Sequence, residues 1–172
     1  MKKIIILSAV AVVVASVIVA CSETSGNKKK NTALSAKDST ARVLRGEYLV
    51  TTTGCDDCHS PKRMGAHGPE LIPELRFSGF TKTGKLPPMD TKPVKNGWIL
   101  FAPDLTAAVG PWGISYAANI SSDMTGIGNW KEENFLLAIR EGKSKGLEGS
   151  RPLLPPMPWF TYKNMTDEDL KS

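Results

Sequence analysis

"GCDDCHS", residues 54–60, gathers Cys55, Cys58 and His59 into five positions. The whole chain of 172 residues holds three cysteines and two histidines, so the grouping calls for a chemical reason. A redox dithiol needs Cys-x-x-Cys beside a strand–helix–strand pattern, and none flanks residues 54–60. A zinc site would have to draw on Cys55, Cys58, His59 and His67. Adjacent residues such as Cys58 and His59 point apart, and the spacing fits no usual zinc pattern.

The chemistry that remains is covalent haem attachment, which requires Cys-x-x-Cys-His in that order. Two thiols add to the two vinyl groups of one porphyrin, and the His beside the second Cys reaches the iron from beneath the ring. One such motif implies one haem c, with Cys55 and Cys58 as its anchors and His59 as an axial ligand.

The N-terminus agrees with attachment outside the cytoplasm. Met1-Lys2-Lys3 is a short positive start, and Ile4 to Ala20 is almost wholly apolar. That is the order of an export signal. An uncleaved membrane helix is the alternative, although 17 apolar residues fall short of the ~20 that usually span a bilayer. Ile18-Val19-Ala20-Cys21 resembles a bacterial lipobox, which implies removal of residues 1–20, lipidation of Cys21, and a body held at a membrane facing the periplasm or the cell exterior. Loss of Lys2 and Lys3 lowers the formal charge from +5 to +3. Residues 21–37 are polar, without apolar period, and read as a flexible tether. With Cys21 taken by lipid, no thiol remains for a structural disulfide.

From Asp38 the pattern changes. Asp38 or Ser39 can cap a helix whose Val43, Leu44, Tyr48 and Val50 share a face, with Gly46 near it as a candidate for a close helix crossing. A second helix is expected after an Asn129/Glu132 capping pair, with Phe135, Leu136, Ala138 and Ile139 buried and Gly142 as its stop. A third begins at Thr166, again with a capping-box spacing to Asp169. Residues 61–128 hold most of the glycines and prolines. They read as long wrapping loops, with Gly97–Phe101 and Gly113–Ala117 as strands of a small hairpin.

"RGEYLVTTTGCDDCHSP" resembles the N-terminal helix and haem-binding turn of a cytochrome c. "GPWGISYAANISSDMTGIGNWKEENFLLAIREGK" with "LLPPMPWFTYKNMTDEDL" is similar to a bacterial family of electron carriers and haem subunits of periplasmic dehydrogenases. The resemblance implies an all-α, cytochrome c-like domain over residues 38–172. It implies an apolar C-terminal helix crossing the first one near Gly46. Here that helix starts at "MTDEDLKS" and stops, so the domain is expected to be truncated.

The iron needs a sixth ligand or stays open to small molecules. Met157 in "LLPPMPWF" has prolines on both sides and Met89 in "LPPMD" on one; prolines stiffen a loop and hold the sulfur in place. Met157 is the leading candidate, Met89 the second, and the resemblance also places the ligand at Met157. Met64, Met124 and Met165 are expected to be filler and His67 a surface residue. "HGPEL" resembles the Gly-Pro-x-Leu stretch of cytochromes c, which implies that the Pro69 carbonyl orients the His59 ring. Trp98 or Trp159 is suited to line a macrocycle or bond its propionates.

No basic run interleaved with aromatics points to nucleic acid. Acid pairs such as Asp56-Asp57 read as solvated helix ends, and no side-chain set suggests bond-making catalysis. The expected function is one-electron transfer by a His/Met haem, without enzyme activity, toward a redox protein partner. The alternatives are a haem subunit docked permanently in a dehydrogenase and a ligand-binding haem with an open sixth site.

Overall fold

Helix α1 runs Ala36–Thr52 in a computed structural model that describes residues 36–172. The export signal, Cys21 and nearly all of the tether lie outside the described residues. Asp38 and Ser39, the expected caps, lie within helix α1. Its Val43, Leu44 and Tyr48 are 66%, 61% and 57% exposed, so the apolar face is not covered along its length. Gly46, Leu49 and Val50 are half-buried. A Cβ at Gly46 would lie 2.8 Å from the backbone oxygen of Ser172, so glycine permits the close approach expected of this position. Around that contact, Arg45 pairs with Asp169 at 2.8 Å and Arg42 donates to the Lys171 carbonyl.

After Gly54, whose φ of 75° turns the chain, α2 (Cys55–His59) follows at once. Then come two antiparallel strands, β1 (Lys62–Gly65) and β2 (Gly68–Leu71), paired from Lys62↔Leu71 to Gly65↔Gly68. The sequence reading placed loop here. Short helix α3 (Lys92–Lys95) precedes a second sheet of β3 (Leu100–Phe101), β4 (Ala107–Gly110) and β5 (Gly113–Tyr116) in the order β3-β4-β5. The two expected strands are therefore not partners. Both pair with Ala107–Gly110, a run whose small residues carry little strand signal. Two small sheets among short helices make the body mixed rather than all-α.

Helix α4 (Glu132–Glu141) ends as expected at Gly142, φ 65°. Its start differs: the side-chain oxygen of Asn134 accepts the Lys131 N–H at 3.1 Å, two residues on from the expected Asn129/Glu132 pair. Helix α5 (Trp159–Tyr162) and α6 (Asp167–Leu170) complete the described chain. Thr166 caps α6 by accepting the Asp169 N–H at 3.1 Å. Asp169 does not reach back to close the box; its carboxylate goes to Arg45. No helix among the described residues is long and apolar enough to cross a membrane.

Burial is concentrated in few places. Among the described residues the buried apolar side chains are Ala107, Ala108, Ala138 and Leu170, while Trp98, Phe101, Ile114 and Tyr116 stay 40–68% exposed. A chain of this size ordinarily buries most of its large apolar side chains.

Candidate functional site

Helix α2 is little more than one turn, and positions three apart on a helix share a face. Cys55 and Cys58 therefore project together. Both are free thiols and half-buried. Burial pushes both thiols above their ordinary pKa, with the neighbouring carboxylate Asp57 acting in the same direction. A reactive redox dithiol needs the opposite shift, so this environment keeps the sulfurs protonated. No group of three or more His, Cys, Asp or Glu side chains among the described residues is arranged to hold a metal ion unaided.

The His59 ring follows on the same turn. Its Nδ1 lies 2.8 Å from the Ala118 carbonyl oxygen. A carbonyl can only accept, so Nδ1 carries the proton and Nε2 is left with the lone pair. Burial lowers the imidazole pKa and outweighs the bond to Ala118, which favours the neutral, ligating form. The sequence reading gave the orienting carbonyl to Pro69. Pro69 instead lies in β2, exposed, opposite Met64. The β1–β2 ribbon takes up the stretch that the resemblance had placed under the ring.

A second bond holds the His59 backbone. Gly79 N–H donates to the His59 carbonyl at 2.8 Å, and Phe80 N–H donates to the Ala117 carbonyl at 3.0 Å. Residues 77–80 are thus clamped between α2 and the chain leaving β5. At Gly79, φ is +67°, and a Cβ would sit 2.4 Å from the Ala117 oxygen and 2.5 Å from the Ala118 carbonyl. Gly79→Ala is expected to push away the carbonyl that holds His59 and lower the melting temperature by roughly 5–10 °C, for about 2 kcal/mol of strain and overlap. Gly149 has φ +69° with nothing near its Cβ position, so Gly149→Ala is the control for backbone strain alone. Equal thermal shifts in the two variants would rule out the clamp.

The loop carrying Met157 is fastened at three points. Ser115 in β5 donates to the Pro155 carbonyl at 2.6 Å. The Trp159 ring lies over Gly142, whose Cβ would stand 2.4 Å from it. Tyr162 donates its hydroxyl to the Thr53 carbonyl at 2.7 Å, two residues before Cys55. Burial raises the Tyr162 pKa, helped by the nearby Cys55, Cys58 and Asp57. Strand β5 thus anchors the Met157 loop at Ser115, and the chain leaving it holds the His59 ring at Ala118, three residues on. Met157 and Met165 are half-buried, whereas Met64, Met89 and Met124 are 71%, 41% and 69% exposed. His67 is exposed, as expected, in the turn between β1 and β2. Trp98 is 68% exposed and Trp159 half-buried.

Asp56 overturns one expectation. It is 8% exposed rather than solvated, and its carboxylate accepts from Ser60 at 2.7 Å and from Arg76 at 2.9 Å. Burial alone would raise its pKa; the bonds from Arg76 and Ser60 more than reverse this and hold it below the usual carboxylate range. Lys62 closes the C-terminal end of α2, its ammonium donating to the carbonyls of Asp56, Asp57, Ser60 and Asp104 at 2.7–3.2 Å. A cation suits that end of a helix. Sequence reasoning missed Ala118, Gly79, Ser115 and Tyr162 as well. Ala118 and Gly79 act through backbone atoms or close approach, which leave no residue-type signal.

No family model matches the chain, and no solved structure does. Among characterised proteins, the chain is 32% identical over 133 residues to the gluconate 2-dehydrogenase cytochrome c subunit of Pantoea cypripedii, covering 77% of this chain and 22% of that protein. It is 29% identical over 132 residues to the fructose dehydrogenase cytochrome subunit of Gluconobacter japonicus, covering 76% and 19%. A shorter match, 38% over 63 residues, joins it to a subunit of the nicotinate dehydrogenase of Pseudomonas putida, covering 36% and 5%. The chain spans about a fifth of the length of the first two relatives. Those two are cytochrome subunits of dehydrogenases.

Proposed function

We propose that residues 38–172 form a c-type cytochrome domain that carries single electrons, with one haem held by Cys55 and Cys58 and ligated by His59 and Met157. The observation that carries this reading is the bond from His59 Nδ1 to the Ala118 carbonyl. It fixes the tautomer and turns Nε2 into the free donor, on the same turn that presents two protonated thiols.

The donor set fits the group. Each S–H adds across one vinyl C=C, forming a C–S bond while the hydrogen goes to the adjacent carbon, so no oxidant or leaving group is needed. When bound, the haem supplies a one-electron couple between ferric and ferrous iron. The chain does the rest. Ala118 orients the axial imidazole. Ser115, Gly142 and Thr53 hold the Met157 loop in place. The half-exposed Phe101, Ile114 and Tyr116 are apolar surface that a bound macrocycle can cover.

The protein partner follows the relatives: we assign the chain as an electron-accepting subunit for a dehydrogenase. Cys21 lipidation is proposed as its attachment to the membrane, on the periplasmic or exterior side. The deciding experiment is the visible spectrum of the exported protein, oxidised and reduced, from a host with haem-attachment machinery. A low-spin c-type spectrum with the weak long-wavelength band of sulfur–iron ligation is expected. A high-spin iron that binds carbon monoxide readily would replace this reading with an open sixth site. Absence of haem would refute it.

A further inference from the structure

Asp56 is buried in the middle of the attachment turn, next to Cys55 and three residues before His59. Its Oδ1 accepts from Ser60 at 2.7 Å and Arg76 Nε at 3.1 Å, and its Oδ2 from Arg76 Nη2 at 2.9 Å. This is the two-pronged geometry in which arginine binds carboxylates most strongly. The Asp56 side chain is 12% exposed and that of Arg76 34%. The outward side of the guanidinium reaches Glu47 only at 3.5 Å, where Glu47 is 60% exposed; screening leaves that contact little weight.

The bonds continue beyond the pair. Ser60 Oγ accepts the Phe77 N–H at 2.9 Å, and Phe77 O accepts the Ile120 N–H at 2.8 Å. Phe77 holds a φ of 63°, unusual for a bulky residue. The Arg76 guanidinium lies 4.7 Å from the centre of its ring. A conformation of this kind persists where its surroundings over-determine it, and here three contacts do so. Two residues on, Gly79 donates to the His59 carbonyl. The Asp56–Arg76 pair therefore ties the attachment turn to the segment that brackets the axial histidine.

We propose that Asp56 and Arg76 are positioning residues that lock this turn and, as opposite charges beside it, set the reduction potential of its iron. The inference rests on the haem reading above. Ferric iron carries one more positive charge than ferrous, and a half-buried site screens neighbouring charges poorly.

The test is the midpoint potential of the holoprotein in wild type, Asp56→Asn, Arg76→Gln and the double variant, with haem content measured first on each. Asp56→Asn leaves the guanidinium unbalanced and is expected to raise the potential. Arg76→Gln leaves the carboxylate and is expected to lower it. The double variant is expected to return toward wild type. Asp56→Glu and Arg76→Lys keep the charges and serve where the neutral variants do not fold. They are expected to lower the melting temperature while leaving the potential near wild type. Haem-loaded single variants that shift the same way, or not at all, overturn the proposal and leave the haem reading intact. Charge-keeping variants whose potential shifts as far as that of the neutral variants overturn it too. A wild-type chain without haem overturns both.

Discussion

A chain with alanine at both Cys55 and Cys58, exported with attachment machinery, should carry no haem that survives denaturing electrophoresis, while wild type carries one per chain. The effect is all-or-none because the C–S bonds are the part of the attachment that denaturant cannot break. The two single variants should each keep one bond and remain haem-stained, with a red-shifted reduced band from the vinyl group left unsaturated. Addition to the vinyl groups requires the sulfurs to be free. Both are free, and burial raises both above the ordinary thiol pKa. If instead the wild-type cysteines were isolated as a disulfide, with no haem loaded, the redox-dithiol chemistry would have to be reconsidered against that shift. The double variant should also be less stable than the loaded wild type, since a bound group stabilises only the folded state. The apolar surface at Phe101, Ile114 and Tyr116 is where that loss would be felt.

What the sequence made legible was what residue type alone encodes. The Thr166 cap, the Gly142 stop and the close approach at Gly46 each depend on a specific side chain or its absence. The structure shows the cap, the stop and the approach where they were expected. What stayed hidden depends on partners far away in the chain. Asp56 reads as a surface acid until Arg76, twenty residues on, turns it inward. The carbonyl that orients His59 belongs to Ala118, fifty-nine residues on, and any residue type could supply it. Pro69 was a misplacement of the same kind: a local likeness suggested the carbonyl, but the ribbon from Lys62 to Leu71 carried it away from the ring. Strand β4 escaped for another reason. Ala107 and Ala108 are small because they are buried on both sides, and the usual strand signal of branched and aromatic residues is absent where space is lacking.

Met157→Ala should keep its covalent haem and lose the sixth ligand. The weak sulfur–iron band should vanish, carbon monoxide should bind readily to the reduced protein, and the potential should fall by on the order of 0.1 V or more, within the roughly 0.8 V that axial ligands command. The case for Met157 over its rivals is one of placement. Its loop is tied by Ser115 to β5, the strand that runs on to the Ala118 carbonyl, and by Tyr162 to the residue two before Cys55. Met165 is also half-buried, but its N–H is bonded back to the Tyr162 carbonyl at 3.0 Å and its position before the Thr166 cap already gives it a packing role. Met89 lies beyond the turn at Thr81–Gly84, 41% exposed. Parallel Met89→Ala and Met165→Ala variants should therefore retain the band. A band that survives Met157→Ala and disappears in one of the others would reassign the ligand without touching the attachment. Ser115→Ala offers a milder form of the same test. It removes the 2.6 Å bond to Pro155 and leaves the sulfur in place. The thioether would then be held less firmly, with faster displacement by added ligand and little change in the resting spectrum.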